Sequence, residues 1–134
     1  MTHHHQIRSL GTVALLGVLL LGVALAGCTG NEERGPLQVP ESADIEGGKK
    51  IIQLYGCGTC HRIPGIAGAN GRVGPSLEGF GQQFYIAGVV PNNLDNLVQW
   101  LMDPQSIEPG TIMPDFDLEE AGATNIAAYL ATLD

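Results

Sequence analysis

Three side chains able to bind a metal or to form thioethers crowd into five residues, Cys57-Gly58-Thr59-Cys60-His61. Two residues between the thiols make one tight turn, so both sulfurs reach the same edge of a flat macrocycle while the adjacent imidazole comes up under its centre. This is the attachment signature of c-type haem, in which the thiols become thioethers to the haem vinyls and the histidine becomes an iron ligand. Two other chemistries also use Cys-x-x-Cys: the thiol redox pair and half of a zinc site. A zinc site needs four ligands, and the remaining histidines are His3, His4 and His5, which fall in a leader and are given no function. A thiol redox pair should follow a strand at a helix start, whereas this motif follows a helical pattern and precedes a glycine-rich loop.

An iron held by His61 has a second axial position. His61 is the sole histidine after the leader, so a second imidazole from this chain is excluded, and the thioether candidates are Met102 and Met113. Met102 ends an amphipathic helix and by default belongs to core or cap. Met113 lies between a Pro-Gly turn and Pro114, which biases it to extended backbone on a loop able to cross the open haem face, and it is preferred. A His/Met pair fills both axial positions and raises the reduction potential, which describes an electron carrier and not an oxygen- or peroxide-activating site. The carbonyl of Pro75, in Gly74-Pro75-Ser76-Leu77, is available to accept from the ring N–H of an iron-ligating histidine, fixing its orientation and basicity. Trp100 provides apolar cover, with its indole N–H within reach of a propionate as a secondary role.

The elements that position these groups read as helices. Asp44 is an N-cap, with Gly48, Ile51, Ile52 and Tyr55 on one stripe and Gly56 at the C′ position. Gly48 in mid-helix costs about 1 kcal/mol against alanine and asks for a packing reason. Gly65, Gly68, Gly71 and Gly74 punctuate a loop that can follow a flat ring. Asn92 or Asn93 caps a second helix carrying Leu94, Leu97, Val98 and Leu101, which Pro104 stops. Asp103 to Phe116 reads as an irregular loop. The last helix opens at Asp117 with Glu120 three residues later, in the manner of a capping box, and carries Ile126, Tyr129, Leu130 and Leu133. With no repeats and no convincing strand alternation, the expectation is all-α.

The N-terminus reads as a targeting segment. Residues 11–27 are an uninterrupted run of Gly, Val, Leu, Ala and one Thr. As a helix this run spans roughly 25 Å, short of the ~30 Å hydrocarbon core, and it fits an export signal better than a membrane anchor. It ends in Leu25-Ala26-Gly27-Cys28, which resembles a bacterial lipobox whose cysteine is lipidated and becomes the new N-terminus. The expected organisation is a signal peptide over 1–27, a polar tether over 28–43 and a haem domain over 44–134. Lipid on Cys28 and haem on Cys57 and Cys60 account for all 3 cysteines. Haem attachment belongs outside the cytoplasm, so the expected location is the extracytoplasmic face of a bacterial membrane.

Cleavage removes 27 of 134 residues and leaves 107, and it takes Arg8 but none of the 14 acidic residues, moving the net charge from −8 to −9. A chain this acidic is a poor partner for nucleic acid or for an anionic membrane surface bound electrostatically.

Gly48-Lys49-Lys50-Ile51-Ile52, Cys57-Gly58-Thr59-Cys60-His61, Gly74-Pro75 with Leu77, Met113-Pro114 and Ala128-Tyr129-Leu130, in that order over residues 44–133, resemble class I cytochrome c. The resemblance implies three main helices around one covalent haem, with Gly48 facing Tyr129 where the first and last helices cross. It also implies Cys57 and Cys60 as thioethers, His61 as proximal ligand, Pro75 as its carbonyl partner and Met113 as distal ligand. The segment from Asn92 to Pro114 is similar to the cytochrome domain fused to subunit II of some bacterial haem-copper oxidases. Mitochondrial-type carriers have a lysine-rich docking rim, whereas this chain has only Lys49 and Lys50, so their docking rules do not transfer.

The leading expectation is a membrane-tethered one-electron carrier, not an enzyme in its own right, between a quinol-oxidising complex and a terminal oxidase or photosynthetic reaction centre. Tethering would raise local concentration near such partners without charge steering. The alternatives are a fixed haem subunit of one membrane complex, suggested by the apolar run from Tyr85 to Val90, and a haem enzyme or gas sensor in which Met113 dissociates.

Overall fold

A computed structural model describes residues 37–134. Cys28, the leader over 1–27 and most of the 28–43 stretch lie outside the described residues. Leu37 is buried and Val39 packs against the core, so the described end of that stretch lies on the domain.

Helix α1, Ile45–Leu54, starts where its sequence says it should: Asp44 is extended and its carboxylate accepts from the Gly47 N–H at 2.8 Å. The helix ends at Tyr55, and Gly56, with φ +70°, supplies the left-handed residue that follows. A 3-10 turn over Cys57–Thr59 comes next, then a long loop, a second 3-10 turn over Phe80–Gln82, and a two-stranded antiparallel ribbon of β1, Tyr85–Ile86, and β2, Val90–Pro91. Helix α2 spans Leu94–Met102, α3 is the single turn Pro104–Ile107, and α4 spans Glu120–Ala131. Among the described residues no helix is long and apolar enough to cross a membrane.

One alternative is resolved and three expectations change. Asn93 is the α2 cap, accepting from the Asn96 N–H at 2.9 Å, while Asn92 donates its amide to the Phe80 and Gln83 carbonyls at 3.1 and 3.0 Å. The stretch from Asp103 to Phe116 is not wholly irregular: Pro104 both stops α2 and, at the first position of α3, opens a new turn that Asp103 caps. The capping box at Asp117 does not form. Asp117 adopts φ +52° with its N–H donating to the Asp115 carboxylate at 2.7 Å, and α4 begins only at Glu120 without a side-chain cap. Burial of Leu118 takes precedence over the local capping pattern. The ribbon, absent from the all-α expectation, closes on Ala87 and Gly88, both at positive φ. Its strands are two residues long, too short to show alternation. Within the expected apolar patch Ile86 is 2% exposed and points to the core, whereas Tyr85 is 58% and Val89 47% exposed.

The core forms where α1 and α2 pack on α4. Ile52, Leu97 and Ile126 are among its largest fully buried side chains. At the α1–α4 crossing, a Cβ on Gly48 would run into the Asn125 carbonyl and lie 2.9 Å from the Ile126 nitrogen. Gly48 therefore faces the Asn125–Ile126 backbone and not Tyr129. The Tyr129 hydroxyl donates instead to the Pro64 carbonyl at 2.7 Å, tying α4 to the loop beyond the cysteines. The Asp44 N–H donates to the Asn125 side chain at 2.8 Å, which pins the start of α1 to the same helix.

Candidate functional site

The Cys57–Cys60 turn is closed by its own backbone. The N–H groups of Cys60 and His61 both donate to the Cys57 carbonyl, at 3.2 and 3.0 Å, and the Thr59 hydroxyl donates to the Gly56 carbonyl at 2.8 Å. Both cysteines are free and half-buried. Burial pushes the Cys57 thiol upward, a hydrogen bond from its own backbone opposes this, and the neighbouring Cys60 adds to the rise. A thiol redox pair needs the reverse, a nucleophilic thiolate held low, so this environment disfavours that chemistry.

The loop after His61 folds back over the turn. The Gly71 N–H donates to the Gly58 and His61 carbonyls at 3.1 and 3.2 Å, the Gly74 N–H to the Cys60 carbonyl at 2.9 Å, and the Leu77 N–H to the Arg62 carbonyl at 2.9 Å. These bonds bring the Pro75 carbonyl oxygen to 2.7 Å from His61 Nδ1. A carbonyl can only accept, so Nδ1 carries the proton and donates it, and Nε2 keeps its lone pair for a metal. Gly74 makes this possible: a Cβ there would run into the imidazole, 2.7 Å from Nδ1 and 2.8 Å from Nε2. The Arg62–Glu78 ion pair, at 3.4 Å, joins the same two chain segments. Both side chains are more than half exposed, so it is worth at most about 1 kcal/mol.

Cys57, Cys60, His61, Pro75, Trp100 and Met113 all line a single cavity of about 680 Å³. Met102 packs on the core and is not among the lining residues. The rest of the wall is largely apolar, with Ile52 from α1, Leu97 and Leu101 from α2, and Ile126 and Leu130 from α4. The Tyr55 and Phe116 rings meet edge to face at 6.0 Å on the lining. By local pattern Tyr55 is one more residue of the α1 stripe and Gly74 one more loop glycine. Neither role had a local signal, since each depends on what the loop meets when it returns.

A family model for cytochrome c matches residues 45–134. The chain belongs to the cytochrome c family. Cytochrome c domains are helical haem proteins that transfer electrons, and the cavity fits that cofactor: its volume lies within the ~300–1,000 Å³ of small-molecule and cofactor sites, and it offers two thiols, an imidazole nitrogen and a thioether. This cytochrome c domain is 36% identical over 87 residues to cytochrome c oxidase subunit 2 of Alkalihalophilus pseudofirmus, covering 64% of this chain and 25% of that protein. It is 36% identical over 75 residues to cytochrome c oxidase subunit 2 of Bacillus subtilis, covering 54% of this chain and 21% of the relative. Against the protein of the same name from Bacillus sp. strain PS3 it is 39% identical over 59 residues, covering 42% and 17%. The aligned region thus spans a quarter or less of each relative's length.

Proposed function

We propose that this cytochrome c domain is a one-electron carrier whose single haem is held covalently by Cys57 and Cys60, with His61 and Met113 as the two iron ligands. The observation that carries the reading is the 2.7 Å contact between His61 Nδ1 and the Pro75 carbonyl, on a cavity that Met113 also lines. When bound, the haem supplies a one-electron iron couple. Pro75 holds the imidazole in the tautomer that leaves Nε2 free and raises its basicity. Trp100, Leu101, Ile126 and Leu130 give the cavity an apolar wall, and the Met113 thioether would favour the reduced state of the iron. With His61 and Met113 holding the iron and no second histidine after the leader, the chain would offer neither an open coordination site nor a histidine general base for peroxide chemistry.

In this proposal lipid on Cys28 tethers the domain to the extracytoplasmic face of a bacterial membrane, between a quinol-oxidising complex and a terminal oxidase or reaction centre. Optical spectra of the purified haem protein, oxidised and reduced, with and without carbon monoxide, test the ligand pair. A weak thioether-to-iron band that disappears in Met113→Ala, with no carbon monoxide effect on the native protein, supports it. Carbon monoxide binding by the native protein would replace the carrier with an open-site haem protein. Cys28→Ser should release the domain from membranes, and retention of that variant would refute the lipid tether.

A second reading is favoured by the relatives, each named as a subunit of cytochrome c oxidase. On that reading the domain is a fixed haem part of one membrane complex. Co-purification with an oxidase through detergent and high salt would select it, and recovery only as free cytochrome would exclude it.

A further inference from the structure

Met113 sits on a loop that has no regular structure of its own, yet a ligand to a metal must be presented in one place. The loop is held from one side by Gln105. Its Oε1 accepts from the Gly110 N–H at 2.9 Å, and its Nε2 donates to the Thr111 carbonyl at 2.6 Å. An N–H can only donate and a carbonyl only accept, so the two partners fix which way round the amide lies. Gln105 thus caps both sides of one turn as another peptide group would. From that turn the Thr111 hydroxyl accepts from the Met113 N–H at 3.3 Å. The base of the arrangement is rigid: Pro104 is fully buried, Asp103 caps α3, and the Ser106 hydroxyl donates to the Asp103 carbonyl at 2.7 Å while accepting from Gln99 of α2 at 3.2 Å.

We propose that Gln105 is a positioning residue for Met113: through the Gly110–Thr111 turn and the Thr111 hydroxyl it presents the thioether to the iron and slows the loop's opening. The inference rests on Met113 as the axial ligand. Only a side chain with a donor and an acceptor at matching reach can hold both groups. Alanine has neither, and glutamate has no donor when ionised. The hydroxyl of Thr111 is required, and its methyl is not. Gln105 is exposed, so its truncation leaves the core packing intact.

The test uses the purified, haem-loaded full chain and exogenous imidazole as a competitor for the Met113 position in the oxidised protein. Each net hydrogen bond is worth about two- to tenfold in an equilibrium, so Gln105→Ala is expected to bind imidazole roughly tenfold more tightly than native protein and Thr111→Ala about threefold. Thr111→Ser should match native. Amide exchange at Gly110, followed in parallel, should accelerate in Gln105→Ala and confirm that the turn has been released. Imidazole affinity within twofold of native in Gln105→Ala, with Gly110 exchange accelerated, would overturn the proposal, because the turn would then be free without consequence for the ligand. Met113→Ala separates the two levels of the argument. If its thioether band is unchanged, the ligand assignment falls and the positioning role falls with it. If the band is lost while Gln105→Ala binds imidazole as native does, only the role of Gln105 is wrong.

Discussion

Replacing Gly48 with alanine sets two effects of opposite sign against each other. Helix α1 gains about 1 kcal/mol of propensity at an interior position. Against this, the new Cβ meets the Asn125 carbonyl and stands 2.9 Å from the Ile126 nitrogen. Both obstacles are backbone atoms of α4, which cannot swing aside as the end of a side chain can, so the helices must part. Overpacking costs about 1–3 kcal/mol, and a backbone obstacle puts this site at the upper end, leaving a net loss of about 2 kcal/mol. For a domain of this size that corresponds to a fall in Tm on the order of 10 °C. Gly122, in α4, supplies the control: its added Cβ would lie 3.7 Å from the Ile51 side chain, an ordinary contact, so Gly122→Ala should be neutral or stabilising by about 0.5 kcal/mol. Thermal and guanidinium unfolding of both haem-loaded variants, followed by far-ultraviolet circular dichroism, reads the difference. Gly48→Ala as stable as native, or Gly122→Ala equally damaged, would refute the close-crossing argument. The consequence reaches the site, because Ile52 of α1 and Ile126 and Leu130 of α4 form part of the cavity wall.

Gly74→Ala should push the His61 ring away from its place and break the bond from Nδ1 to Pro75, making the imidazole a weaker donor and raising the reduction potential. A redox titration with an unchanged potential would show that the ring has room the geometry denies it. Tyr129→Phe removes the hydrogen bond to Pro64 and should cost about 1 kcal/mol at neutral pH, measured as a shift of the denaturation midpoint. Burial, reinforced by Glu46, holds the Tyr129 phenol above its ordinary pKa of about 10. Its contribution is then complete below that pH and declines above it, as the unfolded phenol ionises first. The gap between native protein and Tyr129→Phe should therefore narrow above pH ~10, and a gap that widens there would reverse the sign of the argument.

Much of the local structure could be read from short stretches. Asp44 at the start of α1, Gly56 after its end, Asn93 before α2 and Pro104 after it each act through bonds to residues no more than four positions away, so their chemistry is written where it operates. The Cys57–His61 turn belongs to the same class, since its spacing sets it. The start of α4 departs from its local pattern because of what lies across the fold: Asp117 and Glu120 spell a capping box, but Asp117 takes positive φ where the next residue, Leu118, is buried.

The sequence by itself determined the helical class, the thiols and imidazole offered to a haem, and the groups that begin and end α1 and α2. Tertiary structure decided which backbone Gly48 touches, which carbonyl Tyr129 reaches, where Gly74 lies relative to the His61 ring, and that Gln105 holds the turn before Met113. The Asp44–Asn125 and Tyr129–Pro64 bonds join residues 81 and 65 positions apart. No local propensity encodes such a pair. It exists only because burying Ile52, Leu97 and Ile126 together draws distant segments close enough for a side chain on one to reach the backbone of another.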